Sequence, residues 1–205
     1  MGRTQPKANW SRTMHLLRIL VAAVFVISFA QPSEAQTPEV RTAGSGNVQF
    51  SVRFPQKSEQ VGGAGKDPAQ VQHQFAVGGS TGVLMLAYQD YKKLDFNDPK
   101  AAQLALKRAI DGFCRGVGGK LQSQKKLTMK RKGITAVEIQ VKIPARSGVS
   151  TSRMYLIGKR WYHVFAMGTS DFVKSKRSQN FLKSVIVADA KSTGSKDRPN
   201  KKPAK

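Results

Sequence analysis

Two stretches of this chain alternate strictly between apolar and polar side chains, and that alternation restricts what it can fold into. In Asn47–Phe54, Val48, Phe50, Val52 and Phe54 share one face, and Gln49, Ser51 and Arg53 share the other. Val137, Ile139, Val141 and Ile143 repeat the pattern in Ala136–Ile143. A period of two fits a strand with one face buried and one in water, the habit of antiparallel sheets. Pro55 and Pro144 end the two runs, because the residue before proline is restricted and proline has no ladder donor. Further strands are expected at Val71–Val77, Val83–Tyr88, Lys120–Met129, Ser152–Ile157, Trp161–Met167 and Val185–Val187. Lys120–Met129 is mostly polar and reads as an edge strand, with Lys130–Gly133 as the turn that follows it. Gly158-Lys159-Arg160 joins its two neighbours tightly.

Helical spacing is clearest at residues 98–115. Asp98 suits the N-cap and Pro99 the first turn, where a missing N–H costs nothing. Ala102, Leu106, Ala109, Ile110 and Phe113 form one apolar stripe, and Gly116, Gly118 and Gly119 end it. A second helix is expected over Asp171–Ser184, with Phe172, Val173, Phe181 and Leu182 inward. Residues 36–46 read as a flexible lead-in and the polar, Gly-rich 56–69 as a loop. The resulting order, β-β-β-α-β-β-β-β-α-β, predicts an α+β fold: an antiparallel sheet with helices packed on it. It lacks the regular βαβ repeat of a doubly wound nucleotide-binding sheet.

The first 35 residues read as a secretory signal. Arg3, Lys7, Arg12 and Arg18 precede the apolar run from Ile19 to Ala30, and Ser33-Glu34-Ala35 supplies small residues for cleavage. That run is about 12 residues, short of the roughly 20 that cross a bilayer. The expected location is therefore periplasmic or secreted, the alternative being an uncleaved N-terminal anchor. A single domain is expected over 47–190, followed by a disordered basic tail over 191–205. The lone cysteine, Cys114, excludes an intrachain disulfide scaffold and sits on the helix's apolar face, so a buried thiol is expected.

Charge narrows the function further. Lys plus Arg is 35 against 12 acids, and without the leader 31 bases face 11 acids, a net +20. Such a surface attracts polyanions, and salt weakens the attraction. Export disfavours chromosomal nucleic acid and favours an anionic envelope surface or an acidic protein, with peripheral membrane association compatible. A monomer is the starting expectation. The candidate anion- or partner-binding residues are Lys125, Lys126, Lys130, Arg131 and Lys132 on one hairpin, with Lys159 and Arg160 at a nearby turn between Tyr155 and Trp161. A solvated charged hairpin that keeps the chain soluble explains the same residues. Lys174, Lys176, Arg177 and Lys183 form a second basic group.

No reaction is legible. Gly78-x-Ser80-x-Gly82 matches a hydrolase elbow by letter, but that elbow needs a strand, a sharp turn and a helix, and a strand-forming run follows Gly82. His73 and His163 lack zinc-site spacing, and His163 reads as a sheet histidine, with a catalytic base as the alternative. Asp90, Asp95 and Asp98 do not match a calcium loop and suit turns and caps. Gly62–Lys66 resembles a phosphate loop in composition only. No cofactor, metal or catalytic residue is assigned. The expected function is an exported, non-enzymatic binding or accessory domain, with a small Ser/His/Asp hydrolase or a charge-only nucleic-acid binder as alternatives.

Ile110-Asp-Gly-Phe113, Ser152–Val164 (Ser-Arg-Met-Tyr-Leu-Ile-Gly-Lys-Arg-Trp-Tyr-His-Val) and Asn180-Phe-Leu-Lys-Ser-Val185 together resemble exported domains of the PsbP-like α/β/α class. The resemblance spans about residues 45–190. It implies an α/β/α sandwich with Phe181 and Leu182 anchoring the last helix and Gly158 making the hairpin turn. It also implies a mainly non-enzymatic role. The basic 125–132 stretch and basic tail depart from that class, and nothing here points to photosynthesis.

Overall fold

The computed structural model describes residues 37–45, 48–62, 72–92 and 94–189. The expected signal segment, Val71, the glycine-rich stretch after Gly62 and the basic tail lie outside these residues. Ten strands and three helices follow in order: β1 (Glu39–Ser45), β2 (Val48–Phe54), β3 (Glu59–Gly62), β4 (Gln72–Gly79), β5 (Gly82–Asp90), α1 (Pro99–Gly116), β6 (Lys120–Lys126), β7 (Ile134–Ile143), β8 (Gly148–Ile157), β9 (Arg160–Gly168), α2 (Ser170–Lys174), α3 (Lys176–Lys183) and β10 (Ile186–Asp189).

The strands form two antiparallel sheets. The larger has the order β3-β4-β5-β9-β8-β7-β6, and the smaller β1-β2-β10. Helix α1 covers one face of the large sheet over β7 and β8. The small sheet, α2 and α3 pack on the opposite face. This layering explains the two kinds of strand sequence. Leu84 to Ala87 on central β5 are buried without interruption, because both faces there are covered. Strand β2 alternates because Phe50, Val52 and Phe54 point into the core while the other face meets solvent.

Aromatic rings join the layers. Phe50 of β2 stacks on Tyr162 of β9 with centroids 4.1 Å apart and meets Tyr155 of β8 edge-on at 5.3 Å. Phe54 packs against Phe181 of α3 at 4.9 Å. On the other face, Ala102, Leu106, Ile110 and Phe113 of α1 are buried against Val137, Ile139, Met154 and Phe165. Asp98 caps α1 by accepting from the Lys100 N–H at 3.0 Å. At the other end Gly118 takes φ +62, and the Gly118 and Gly119 N–H groups donate to the carbonyls of Arg115 and Cys114, closing the helix with a Schellman motif.

The structure corrects several boundaries. The stretch 36–46, read as a flexible lead-in, contains β1, which pairs with β2 over its whole length. Within the expected 56–69 loop, Glu59–Gly62 forms the short strand β3 against β4. Both were missed because neither has an apolar pattern of its own; each is held by a neighbour's ladder. Strand β6 stops at Lys126, with Leu127 and Met129 packing on the core instead. Strand β8 begins earlier than expected, at Gly148. The expected helix 171–184 is two helices broken at Ser175, whose extended backbone lets its hydroxyl donate to the Phe172 carbonyl at 2.7 Å and accept from the Ser178 N–H.

The Phe50 ring is fully buried between two strands of the other sheet. Phe50→Ala is expected to cost about 3–5 kcal/mol in urea unfolding, the range for deleting a buried aromatic. A loss below about 1 kcal/mol would show that the small sheet is peripheral to the cooperative unit.

Candidate functional site

One end of the molecule gathers most of the predicted basic residues. The β8–β9 turn, the β6–β7 loop, the segment after β5 and the end of β10 all meet there. Tyr91 and Phe96 donate their N–H groups to the Lys159 and Gly158 carbonyls at 2.8 and 2.7 Å. Gly133 lies close to Asn97. Arg131 forms an ion pair with Asp189, tying the β6–β7 loop to the end of β10. Lys130, Lys132 and Lys159 are exposed at this end, and so is Lys92, which the sequence reading overlooked. Among the described residues, none of these four lysines forms an ion pair.

The two arginines of the candidate set behave differently. Arg160 meets Asp90 through two bonds of 2.6 and 2.5 Å, donates to the Gly44 carbonyl of β1, and lies 5.0 Å from the Tyr88 ring centroid. The Asp90 hydrogen bond raises its pKa above the usual guanidinium value. Arg131 likewise reaches β10. Both arginines therefore fasten the small sheet to the end of the large one. Tyr155 and Trp161 are buried, on opposite faces of the large sheet, so they serve the core rather than an interface.

Lys125 and Lys126 lie on β6, whose seven residues are all exposed. Consecutive strand residues alternate faces, so the two do not form one patch. Lys125 pairs in register with Glu138 and Lys126 with Val137. The carboxylate of Glu138 is bound by Arg153 at 2.7 Å, and Arg153 also donates to the Leu182 carbonyl of α3 at 2.8 Å. The second basic group sits elsewhere: α2 begins where β9 ends, opposite the Lys159 turn, and Arg177 bonds Gln56 there.

Gly62–Lys66 lies mostly outside the described residues; the other candidates for chemistry fall into structural settings. Ser80 lies in the turn between β4 and β5, a strand–turn–strand and not a strand–turn–helix. Asp98 caps α1, Asp95 accepts from the Asn97 N–H at 3.0 Å, and Asp90 holds Arg160. His73 stacks on Tyr88 at 4.6 Å. Cys114 is half-buried rather than fully buried, and partial burial pushes its thiol pKa up. Among the described residues no group of three His, Cys, Asp or Glu side chains could hold a metal ion.

His163 is the most perturbed titratable group. It is fully buried among Phe113, Trp161 and Phe165, with centroids 4.8 to 5.3 Å away, and its Nε2 has no hydrogen-bond partner. Burial pushes its pKa down to about 3, so the ring is neutral at physiological pH. The ring is packed in the core under Phe113, the place expected of a sheet histidine.

No protein-family model matches the chain, and no curated protein matches its sequence. Among solved structures, it distantly resembles cyanobacterial PsbP (CyanoP) from Synechocystis sp. PCC 6803. The TM-score is 0.49 at 10% sequence identity, covering 80% of this chain and 99% of that one.

His163 carries a pH signature. Its folded pKa of about 3 lies below the unfolded value near 6.5, so below pH 6.5 the unfolded chain takes up a proton that the folded one refuses. Its neutral form costs nothing above pH 6.5, and stability falls by about 1.4 kcal/mol per pH unit below it, down toward pH 3. Unfolding measured between about pH 6.5 and 5, above most carboxylate titration, isolates this slope. His163→Leu should flatten it by one proton, and an unchanged slope in that variant would show that His163 is not the cause.

Proposed function

We propose that the chain is an exported, non-enzymatic binding or accessory domain that docks through its basic end on an anionic envelope partner. The observation that carries this reading is a division of labour among the bases. Arg131 and Arg160 are neutralised by Asp189 and Asp90, while Lys92, Lys130, Lys132 and Lys159 stand exposed around them without an ion pair among the described residues. Surface lysines so grouped raise the local concentration of polyanions, and each contributes about 1 kcal/mol near an anionic surface. The chain leaves β10 at Asp189, at this same end, and six of its last 15 residues are basic. Export rests on the basic, apolar and small-residue layout of residues 1–35, and no helix among the described residues is long and apolar enough to cross a membrane.

The two classes of base separate in an experiment. The full chain, a Lys130→Gln, Lys132→Gln, Lys159→Gln variant and an Arg131→Gln, Arg160→Gln variant are compared on native envelope fraction at about 50 and 300 mM salt. The lysine variant is expected to bind at least about tenfold more weakly with its unfolding free energy changed by less than about 0.5 kcal/mol. The arginine variant is expected to lose stability, because Arg160 also holds the Gly44 carbonyl. Equal retention of the lysine variant and the parent at both salts would sink the reading.

A further inference from the structure

Strand β6 ends the large sheet, and no strand among the described residues pairs with its outer edge. Its hydrogen-bond phase follows from one contact: the Leu127 N–H donates to the Ala136 carbonyl at 2.9 Å. In the same register Lys125 lies opposite Glu138, so Lys125 also turns its backbone groups toward β7. Gln124 and Lys126, one residue out of phase, direct their N–H and C=O groups outward, where no described residue meets them. The other edges differ. Strands β3 and β10 have four residues each. Two carbonyls of β1, at Ala43 and Gly44, already accept from Tyr162 and Arg160.

The side chains of β6 select what could pair with that edge. The strand carries Lys120, Lys125 and Lys126 and no acid. A second copy laid antiparallel about Ser123 would set Lys120 against Lys126 on both sides, a like-charge clash of the kind that keeps edge strands apart. An acidic strand meets the opposite sign at the same positions. The one acid facing Lys125 across the ladder, Glu138, is already held by Arg153. Consecutive acids on an added strand would meet Lys125 on one face of the sheet and Lys126 on the other.

We infer that β6 receives an extended acidic segment of a partner protein as an eighth strand, its backbone pairing with Gln124 and Lys126 and its carboxylates with the flanking lysines. Main-chain bonds supply the docking and the lysines the choice of sequence, as in other cases of strand addition. This rests on the anionic-partner reading and adds the β6 edge, which runs up to the β6–β7 loop of the basic end, as a second place where such a partner is held.

The test uses the full chain and a synthetic ten-residue peptide of Val and Glu with two adjacent glutamates at its centre. Two further versions are N-methylated at alternate amides, one on each peptide edge. Phosphatidylglycerol vesicles and polyphosphate serve as non-strand polyanions. Amide exchange at Gln124 and Lys126 is expected to slow by at least about tenfold with the peptide. One N-methylated version should lose this effect and the other keep it, and Lys125→Gln with Lys126→Gln should weaken binding by about tenfold. Peptide binding without protection of these two amides overturns the eighth-strand proposal, as does equal protection by both methylated versions. Binding only to vesicles or polyphosphate overturns it too, while leaving the anionic-partner reading in place. Failure of every polyanion to bind removes both.

Discussion

The packing of the small sheet on the large one is the constraint on which the rest of this structure depends. Phe50 reaches between Tyr162 and Tyr155, and without that cover the apolar residues Leu84, Leu86, Val164 and Ala166 would face water. At about 25 cal/mol per Å² of apolar surface, exposing such a face would cost a large share of a domain's stability. Arg160 and Arg131 then fix the small sheet's position at one end, by bonding the Gly44 carbonyl and Asp189. Stacking is non-specific about register, whereas charge-assisted bonds to fixed partners are directional, so the two kinds of contact do different work.

That arrangement decides which charges remain for function. A basic stretch in sequence is one object; in the fold it separates into anchors and free cations. Arg131 lies between Lys130 and Lys132, yet the arginine turns to β10 while both lysines are exposed. The fork of a guanidinium suits a fixed carboxylate or carbonyl, and the hydrated ammonium of lysine suits a solvent-facing role. The ends of the small sheet also set a polarity. Glu39 pairs with Phe54 and Asp189 with Val48, the two ends of β2, so the described chain enters at one end and leaves at the basic one.

Much of the fold was legible in the sequence because it is written in local patterns. Alternation located β2 and β7, an unbroken apolar run located β5, and Asp98-Pro99 with the glycines after Arg115 bounded α1. Strands β1 and β3 were not legible, since their residues carry no period and gain their conformation from a ladder with a neighbour. The candidate site divided in the same way. Lys130, Lys132 and Lys159 were visible as a charge cluster, but Lys92 joins them only because Tyr91 and Phe96 bond the β8–β9 turn. No sequence signal separated Arg131 and Arg160 from the lysines beside them.

The sequence by itself determined an α+β class, the core helix α1, the order of most strands and an excess of positive charge, because each depends on residues near one another in the chain. Only the tertiary structure decided that the strands divide into two sheets and that β10 returns to pair with β2. The small sheet depends on a pairing between segments more than 100 residues apart, such as Phe50 with Val187. Such pairings are chosen by which apolar faces remain to be covered once the local elements exist, and no stretch of sequence taken alone contains that choice.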